Sequence, residues 1–227
     1  MNLLVIGGGG REHAIVKKLK ENPAVETIYC APGNGGIAAD AVCVPEIGAK
    51  DISAQVEFAK AHSIDFAVVA PDDPLVLGAV DALEAAGIPC FGPEAKAAII
   101  EGSKVFSKDL MKKYGIPTAE YQVFTDAAAA MDYVKSCALP VVVKADGLAL
   151  GKGVLIAETQ EDAVAAVESI MLDRAFGDSG NQVVIEEFLT GPEVSVLAFT
   201  DGKTVVPMVS SMDHKRAHDH DEGLNTG

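Results

Sequence analysis

Through the first hundred residues, short apolar runs alternate with stretches whose apolar positions recur every three or four residues. Leu3-Leu4-Val5-Ile6 predicts a strand, followed by a glycine turn and a helix holding Ala14, Ile15 and Leu19. Residues 27–31 predict a second strand ending in the turn Pro32-Gly33-Asn34-Gly35-Gly36, and residues 51–62 a helix. DFAVVA (65–70) predicts a buried strand that leads through PDDPL into a helix running to about Ala86. Gly87 stops it, and residues 88–92 predict another strand. Such alternation implies right-handed βαβ crossovers and a parallel sheet. Ligands of these sheets sit outside the carboxyl ends of strands. Those ends are GGGGREH, APGNGG, APDDPL and FGPE, all turn-forming.

Beyond residue 100 the order changes. A helix is expected from Ser103 to Tyr114, broken by Gly115-Ile116-Pro117. Residues 121–124 and 140–144 predict strands around a helix at about 126–136. Thr159-Gln160-Glu161-Asp162 resembles a capping box opening a helix with Ala163, Val164, Val167, Ile170 and Met171 on one face. Residues 183–189, 193–199 and 204–209 then predict strands, the last two joined by a turn at Asp201-Gly202. A small α+β unit, roughly 117–188, therefore stands before the later strands.

Composition narrows the class. The chain has 227 residues, enough for one large domain or two ordinary ones, and 49% of them are apolar. No uncharged apolar window reaches the length of a membrane span. The start reads as a first strand, because it lacks the basic and apolar regions of a secretory leader. Cys30, Cys43, Cys90 and Cys137 form no CxxC pair and predict reduced thiols in a cytoplasmic protein. A formal charge of −15 argues against broad nucleic-acid binding, which needs a basic footprint. A small anion is still a reasonable ligand where cations are concentrated.

The stretch VVVKADGLALGKGV (141–154) supplies that concentration. Three glycines (Gly147, Gly151, Gly153) separate two strands, letting backbone N–H groups approach phosphate oxygens. Lys144 and Lys152 each contribute roughly 4 kcal/mol against a unit negative charge at ~4 Å in an effective dielectric of about 20. The spacing is not that of a Walker loop. A strand–glycine loop–strand instead predicts a flap over nucleotide phosphates, as in kinases or the ATP-grasp fold, and no HRD or DFG segment follows. GGGGREH invites a dinucleotide reading. Glu12, however, takes the third glycine's place, and Cys30-Ala31-Pro32 stands where a ribose-binding acid is needed, so a nicotinamide cofactor is disfavoured. A phosphate at that helix start, beside Arg11, fits better. HKRAHDHDE (214–222) mimics a metal site, but its histidines share no helix face, and a solvated polar loop is expected.

Several motifs agree in order: GGREH (9–13), APGN (31–34), PDDPL (71–75), FGP (91–93), EGSK (101–104), KADGLALGKGV (144–154), IEEFL (185–189), DHKR (213–216) and NTG (225–227). Through them the chain resembles, over its whole length, the glycinamide ribonucleotide synthetases (phosphoribosylamine–glycine ligases) of the ATP-grasp superfamily. The resemblance implies a Rossmann-like, pre-ATP-grasp substrate domain over 1–102. An incomplete ATP-grasp domain follows over 103–227, with an inserted lid at about 117–188. It implies ATP-dependent ligation of glycine to 5-phosphoribosylamine through glycyl phosphate, in purine biosynthesis. Lys104 and Lys144 are implied to meet ATP phosphates, and Gly151, Lys152 and Gly153 to form the flap. Glu186, Glu187, Phe188 and Leu189 would be the adenine hinge, and Glu193 the ribose contact. Gly9, Gly10, Arg11, Glu12, Asn34 and Asp72 are implied to bind phosphoribosylamine; Asp72 stands where the family carries glutamate, with a shorter reach. Asp213, Lys215 and Arg216, with Lys144, are implied to act near the γ-phosphate and acyl group. Mg²⁺ or Mn²⁺ ligands are expected beyond Gly227, so no metal ligand is assigned here. The resemblance also implies that NTG continues in a longer chain, and that these 227 residues alone are inactive and expose apolar surface. Competing expectations are an ATP-grasp ligase or carboxylase with another acceptor, and a nucleotide-binding fragment without activity.

Overall fold

The structure, a computed structural model, describes residues 1–148, 153–213 and 216–225. Two compact units result, Met1–Phe188 and Leu189–Gly227.

In the first unit, β1 (Asn2–Gly7), β2 (Thr27–Pro32), β3 (Val42–Cys43), β4 (Phe66–Val69) and β5 (Cys90–Phe91) form a parallel sheet in the order β3-β2-β1-β4-β5. The period-two alternation of a strand divides β1 between two cores. Leu4 and Ile6 pack with Val69 and Leu83 on one face. Leu3 and Val5 pack with Val16, Ile28 and Cys30 on the other. Helices α1 (Gly10–Lys20), α2 (Ile52–Ala61), α3 (Asp72–Val76), α4 (Ala79–Ala85) and α5 (Ala95–Gly102) connect the strands and lead out of the sheet. Three details depart from the apolar pattern. The helix expected after PDDPL is two, because Gly78 takes a left-handed φ of +87° between α3 and α4. The edge strand β3 is only two residues long, too short to show a period. Helix α5 occupies a stretch for which the pattern gave no element.

A second sheet follows within the same unit. It contains β6 (Tyr121–Phe124), β7 (Val141–Ala145), β8 (Val154–Ala157) and β9 (Val183–Glu187), antiparallel in the order β6-β9-β7-β8. Val143, Ala145, Val183 and Ile185 point into a core shared with α7 (Ala127–Val134) and α8 (Gln160–Val167). Helix α8 begins on Thr159, whose hydroxyl accepts the Asp162 N–H at 3.1 Å, and it ends in one π-helical turn, Glu168–Leu172. Helix α6 (Lys104–Tyr114) is capped by Ser103, which accepts from the Phe106 N–H at 3.1 Å, and closes on Gly115 at φ +65°.

The second unit carries two hairpins. In β10 (Ala198–Thr200) and β11 (Val205–Pro207), Phe199 pairs with Val206. Asp201 Oδ1 accepts the N–H groups of Thr204 at 2.7 Å and Lys203 at 2.9 Å, which holds its carboxyl below the usual carboxylate range. The long strand expected at 193–199 is regular only from Ala198, with a single bridge between Ser195 and Ser211 before it. Part of the polar tail expected to be loop is instead paired, as β12 (Arg216–His218) with β13 (Glu222–Asn225). Val194, Val196, Leu197, Val205 and Val209 are exposed. Among the described residues no helix is long and apolar enough to cross a membrane.

Candidate functional site

The antiparallel register of β7 and β9 sets Val142 opposite Glu186 and Lys144 opposite Val184. Lys144 and Glu186 are therefore diagonal neighbours on one face, the face turned away from the apolar core. Glu186 is only 6% exposed, and a carboxylate there needs countercharge. It has two. Lys144 Nζ pairs with Oε1, and Lys108 Nζ of α6 lies 2.5 Å from Oε2. The Lys108 ammonium also donates to Thr118 Oγ1 at 2.8 Å and to the Ala119 carbonyl at 3.3 Å, with the Tyr121 ring centroid 5.5 Å away. Two ammoniums around one carboxylate leave a positive surplus. Lys144, a quarter exposed, is the member that presents it to solvent.

A cavity of about 230 Å³ opens on that surplus. Ile100, Met111 and Val184 give it apolar wall, and Lys104, Lys144 and Glu101 give it charge. Lys104 starts α6, where the helix dipole already disfavours a cation. Its Nζ donates to the Gly147 carbonyl at 2.5 Å. Burial pushes its ammonium below the ordinary lysine range, and Lys144 adds to that push against Asp146 and Glu101. Affinity for a polyphosphate that needs this charge should therefore fall as pH rises through the depressed value, before reaching the ordinary lysine pKa of about 10.4. Calorimetric titration with ATP across the alkaline range checks this, and Lys104→Arg should remove the early fall.

Asp146, immediately after β7, binds these parts together. It accepts from Ser103 Oγ at 3.1 Å, from the Val105 N–H at 3.1 Å and from Gln182 Nε2 at 2.7 Å. Gly147 holds φ +92°, and a Cβ there would stand 2.7 Å from Ser179 Oγ, so only glycine fits this close approach. Neither Asp146 nor Lys108 was singled out by the sequence. Asp146 looks like part of a loop tip, and Lys108 lies in a lysine-rich helix that reads as a solvated face.

At the carboxyl edge of the parallel sheet, the expected phosphosugar residues divide in two. Glu12 is 6% exposed and turns inward, accepting the Gly9 N–H at 2.5 Å to cap α1. Gly7 makes room for it at φ +124°, where a Cβ would meet Glu12 Cγ at 2.6 Å. Asn34 donates to the Gly8 carbonyl at 2.7 Å and accepts from the Gly36 and Ile37 N–H groups at 2.7 and 2.9 Å. Its side chain thus fixes two loops against each other. Arg11 and Asp72 are exposed and line a second cavity, about 290 Å³, together with Leu75, Pro93 and Glu101. Glu101 borders both cavities. Gly9 and Gly10 lie exposed at the start of α1.

At the end of β9, Glu187 Oε1 accepts the Glu120 N–H at 3.0 Å, and the exposed Phe188 follows. Gly153 is buried, its carbonyl accepting the Ala145 N–H at 2.8 Å. Leu189, Glu193 and Asp213 belong to the second unit, where all three are exposed. Gly151, Lys152, Lys215 and the side chain of Arg216 lie outside the described residues.

Comparison with known proteins matches residues 1–101 to the phosphoribosylglycinamide synthetase N domain, and residues 102–227 to the ATP-grasp (A) domain of the same synthetase. The chain belongs to the phosphoribosylglycinamide synthetase family. A family relative from Listeria monocytogenes serotype 4b, phosphoribosylamine–glycine ligase, is 53% identical over 227 residues, covering 100% of this chain and 54% of the relative. The Thermotoga maritima phosphoribosylamine–glycine ligase structure matches with a TM-score of 0.82 at 32% identity, over 100% of this chain and 54% of that one. The N5-carboxyaminoimidazole ribonucleotide synthetase of Thermotoga maritima, at 21% identity, shares the fold, with a TM-score of 0.65 over 92% of this chain and 52% of that one. The chain spans about half the length of the curated relatives it matches.

Proposed function

We propose that this chain carries the nucleotide and phosphosugar sites of an ATP-dependent ligase joining glycine to 5-phosphoribosylamine in purine biosynthesis. In this reading, glycine's carboxylate takes the terminal phosphoryl group of ATP. The sugar amine then displaces phosphate from that acyl phosphate, leaving glycinamide ribonucleotide, ADP, phosphate and a proton. A carboxylate is a poor acyl donor until one of its oxygens becomes a phosphate leaving group. The observation that carries the reading is the convergence of Lys104 and Lys144 on one cavity, Lys144 lying at the end of a strand that pairs antiparallel with β8.

Residues 1–102 serve as the phosphosugar domain and 103–227 as the ATP-grasp part, with about 117–188 as the lid that keeps water from the acyl phosphate. Lys104 and Lys144 neutralise the phosphates, while Arg11 and Asp72 hold phosphoribosylamine in the second cavity. Glu101 lines both cavities. Glu187, Phe188 and Leu189 offer hinge groups to adenine, and Glu193 reaches the ribose. Gly151 to Gly153 close over the phosphates, and Asp213, Lys215 and Arg216 act at the transferred group. Bound Mg²⁺ or Mn²⁺ would neutralise phosphate charge. The donors described here suit phosphate binding, and no group of three metal-ligating side chains occurs among the described residues. Free Cys30, Cys43, Cys90 and Cys137 suit a reducing compartment, and we place the protein in the cytoplasm. Burial pushes the thiols of Cys30 and Cys90 up to about 12 and about 11, out of the reactive range.

Calorimetric titration tests the reading. ATP should bind this chain, and NADH fluorescence should remain unchanged on its addition. Absence of ATP binding, or a clear NADH response, overturns it.

A further inference from the structure

Lys104 and Lys144 stand on different elements, the first turn of α6 and the end of β7, with no hydrogen bond between them. What joins those elements is a single carboxylate. Asp146 accepts from Ser103 Oγ at 3.1 Å and from the Val105 N–H at 3.1 Å, the residues on either side of Lys104. It lies two residues after Lys144. Gln182 Nε2, just before β9, donates to its other oxygen at 2.7 Å, and the Asp146 N–H donates back to the Gln182 carbonyl at 3.2 Å. The next residue, Gly147, gives the carbonyl on which Lys104 Nζ rests at 2.5 Å.

We propose that Asp146 is the positioning residue of the nucleotide site, a carboxylate clamp that fixes Lys104 and Lys144 relative to one another so that both reach the same polyphosphate. The inference rests on the ATP reading above, and goes beyond it by assigning a role to a residue that touches no phosphate.

Simple electrostatics predicts the opposite sign. Asp146 is negative and sits beside the phosphate cavity, so neutralising it should tighten anion binding if charge alone mattered. If geometry matters, the same change should weaken it. Asp146→Asn keeps the size of the side chain and one acceptor oxygen, but removes the charge and sets an NH2 in place of the oxygen that accepts from Gln182 Nε2. ATP affinity should then fall about tenfold, the size expected for a lost charge-assisted hydrogen bond. Adenosine affinity should be unchanged, because adenosine needs neither lysine.

The measurement is calorimetric titration of wild type and variants with ATP and with adenosine. Unchanged or tighter ATP binding by Asp146→Asn, or equal losses for both ligands, overturns the clamp. A wild-type chain that does not bind ATP overturns the functional reading instead, so the two failures are distinct. Should Asp146→Asn fail to fold, Gln182→Ala retains the carboxylate. It should show the same split between ATP and adenosine, at roughly threefold, and its absence equally overturns the proposal.

Discussion

Lys108→Ala should lower the free energy of unfolding by about 3–5 kcal/mol, the cost of breaking a buried ion pair from one side. Its side chain is 10% exposed and that of Glu186 is 6% exposed, so the carboxylate loses a countercharge that solvent replaces poorly. The change also strands Thr118 Oγ1 and the Ala119 carbonyl, and leaves a cavity beside the Tyr121 ring. Lys144 continues to pair with Glu186, which keeps the loss toward the lower end of that range. Denaturant titration reads the effect as a lower midpoint with an unchanged slope. A midpoint equal to wild type would show that Lys108 is an ordinary surface lysine.

Lys144→Met should act on ligand binding far more than on folding. Methionine preserves the stem against Val142 and Val184, and Lys108 still neutralises Glu186. What is lost is the ammonium that faces the cavity. ATP affinity should drop on the order of a hundredfold, as when one partner of a desolvated charge pair is truncated. Adenosine binding should persist, because adenosine carries no phosphate and the hinge proposed for adenine at Glu187 and Phe188 is untouched. Paired titrations with the two ligands decide it. Equal weakening of both would mean that the variant disturbs the cleft itself.

The contrast between these two lysines shows what could be read in the chain. Lys144 follows three valines at a strand end and precedes a glycine loop, a context that marks it at once. Lys108 sits in KVFSKDLMKKY, where lysines usually cover a solvated helix face, and only the approach of β9 from far along the sequence buries it. Likewise the parallel sheet followed from its alternating runs, because each strand's two apolar faces are local information. The order of the second sheet did not follow, since β9 inserts between β6 and β7 from some forty residues away. Glu12 and Asn34 are marked as ligands by their motifs, and their side chains also hold loop backbone, a second task that no spacing rule reveals. Helix α5 escaped because AKAAIIEG has too few polar positions to show a face.

The alternation along β7 and β9 has a further consequence, for tolerance to insertion and deletion. Successive side chains of a strand point to opposite sides, so losing one residue from the middle of β7 inverts every side chain beyond the gap. Lys144 would then be driven among Ala130, Val134 and Ile170, and Ala145 would take its place at the cavity. Lengthening or shortening this strand by one therefore removes the phosphate cation and the hydrophobic packing in the same event, whereas a paired change of two residues restores the parity of both.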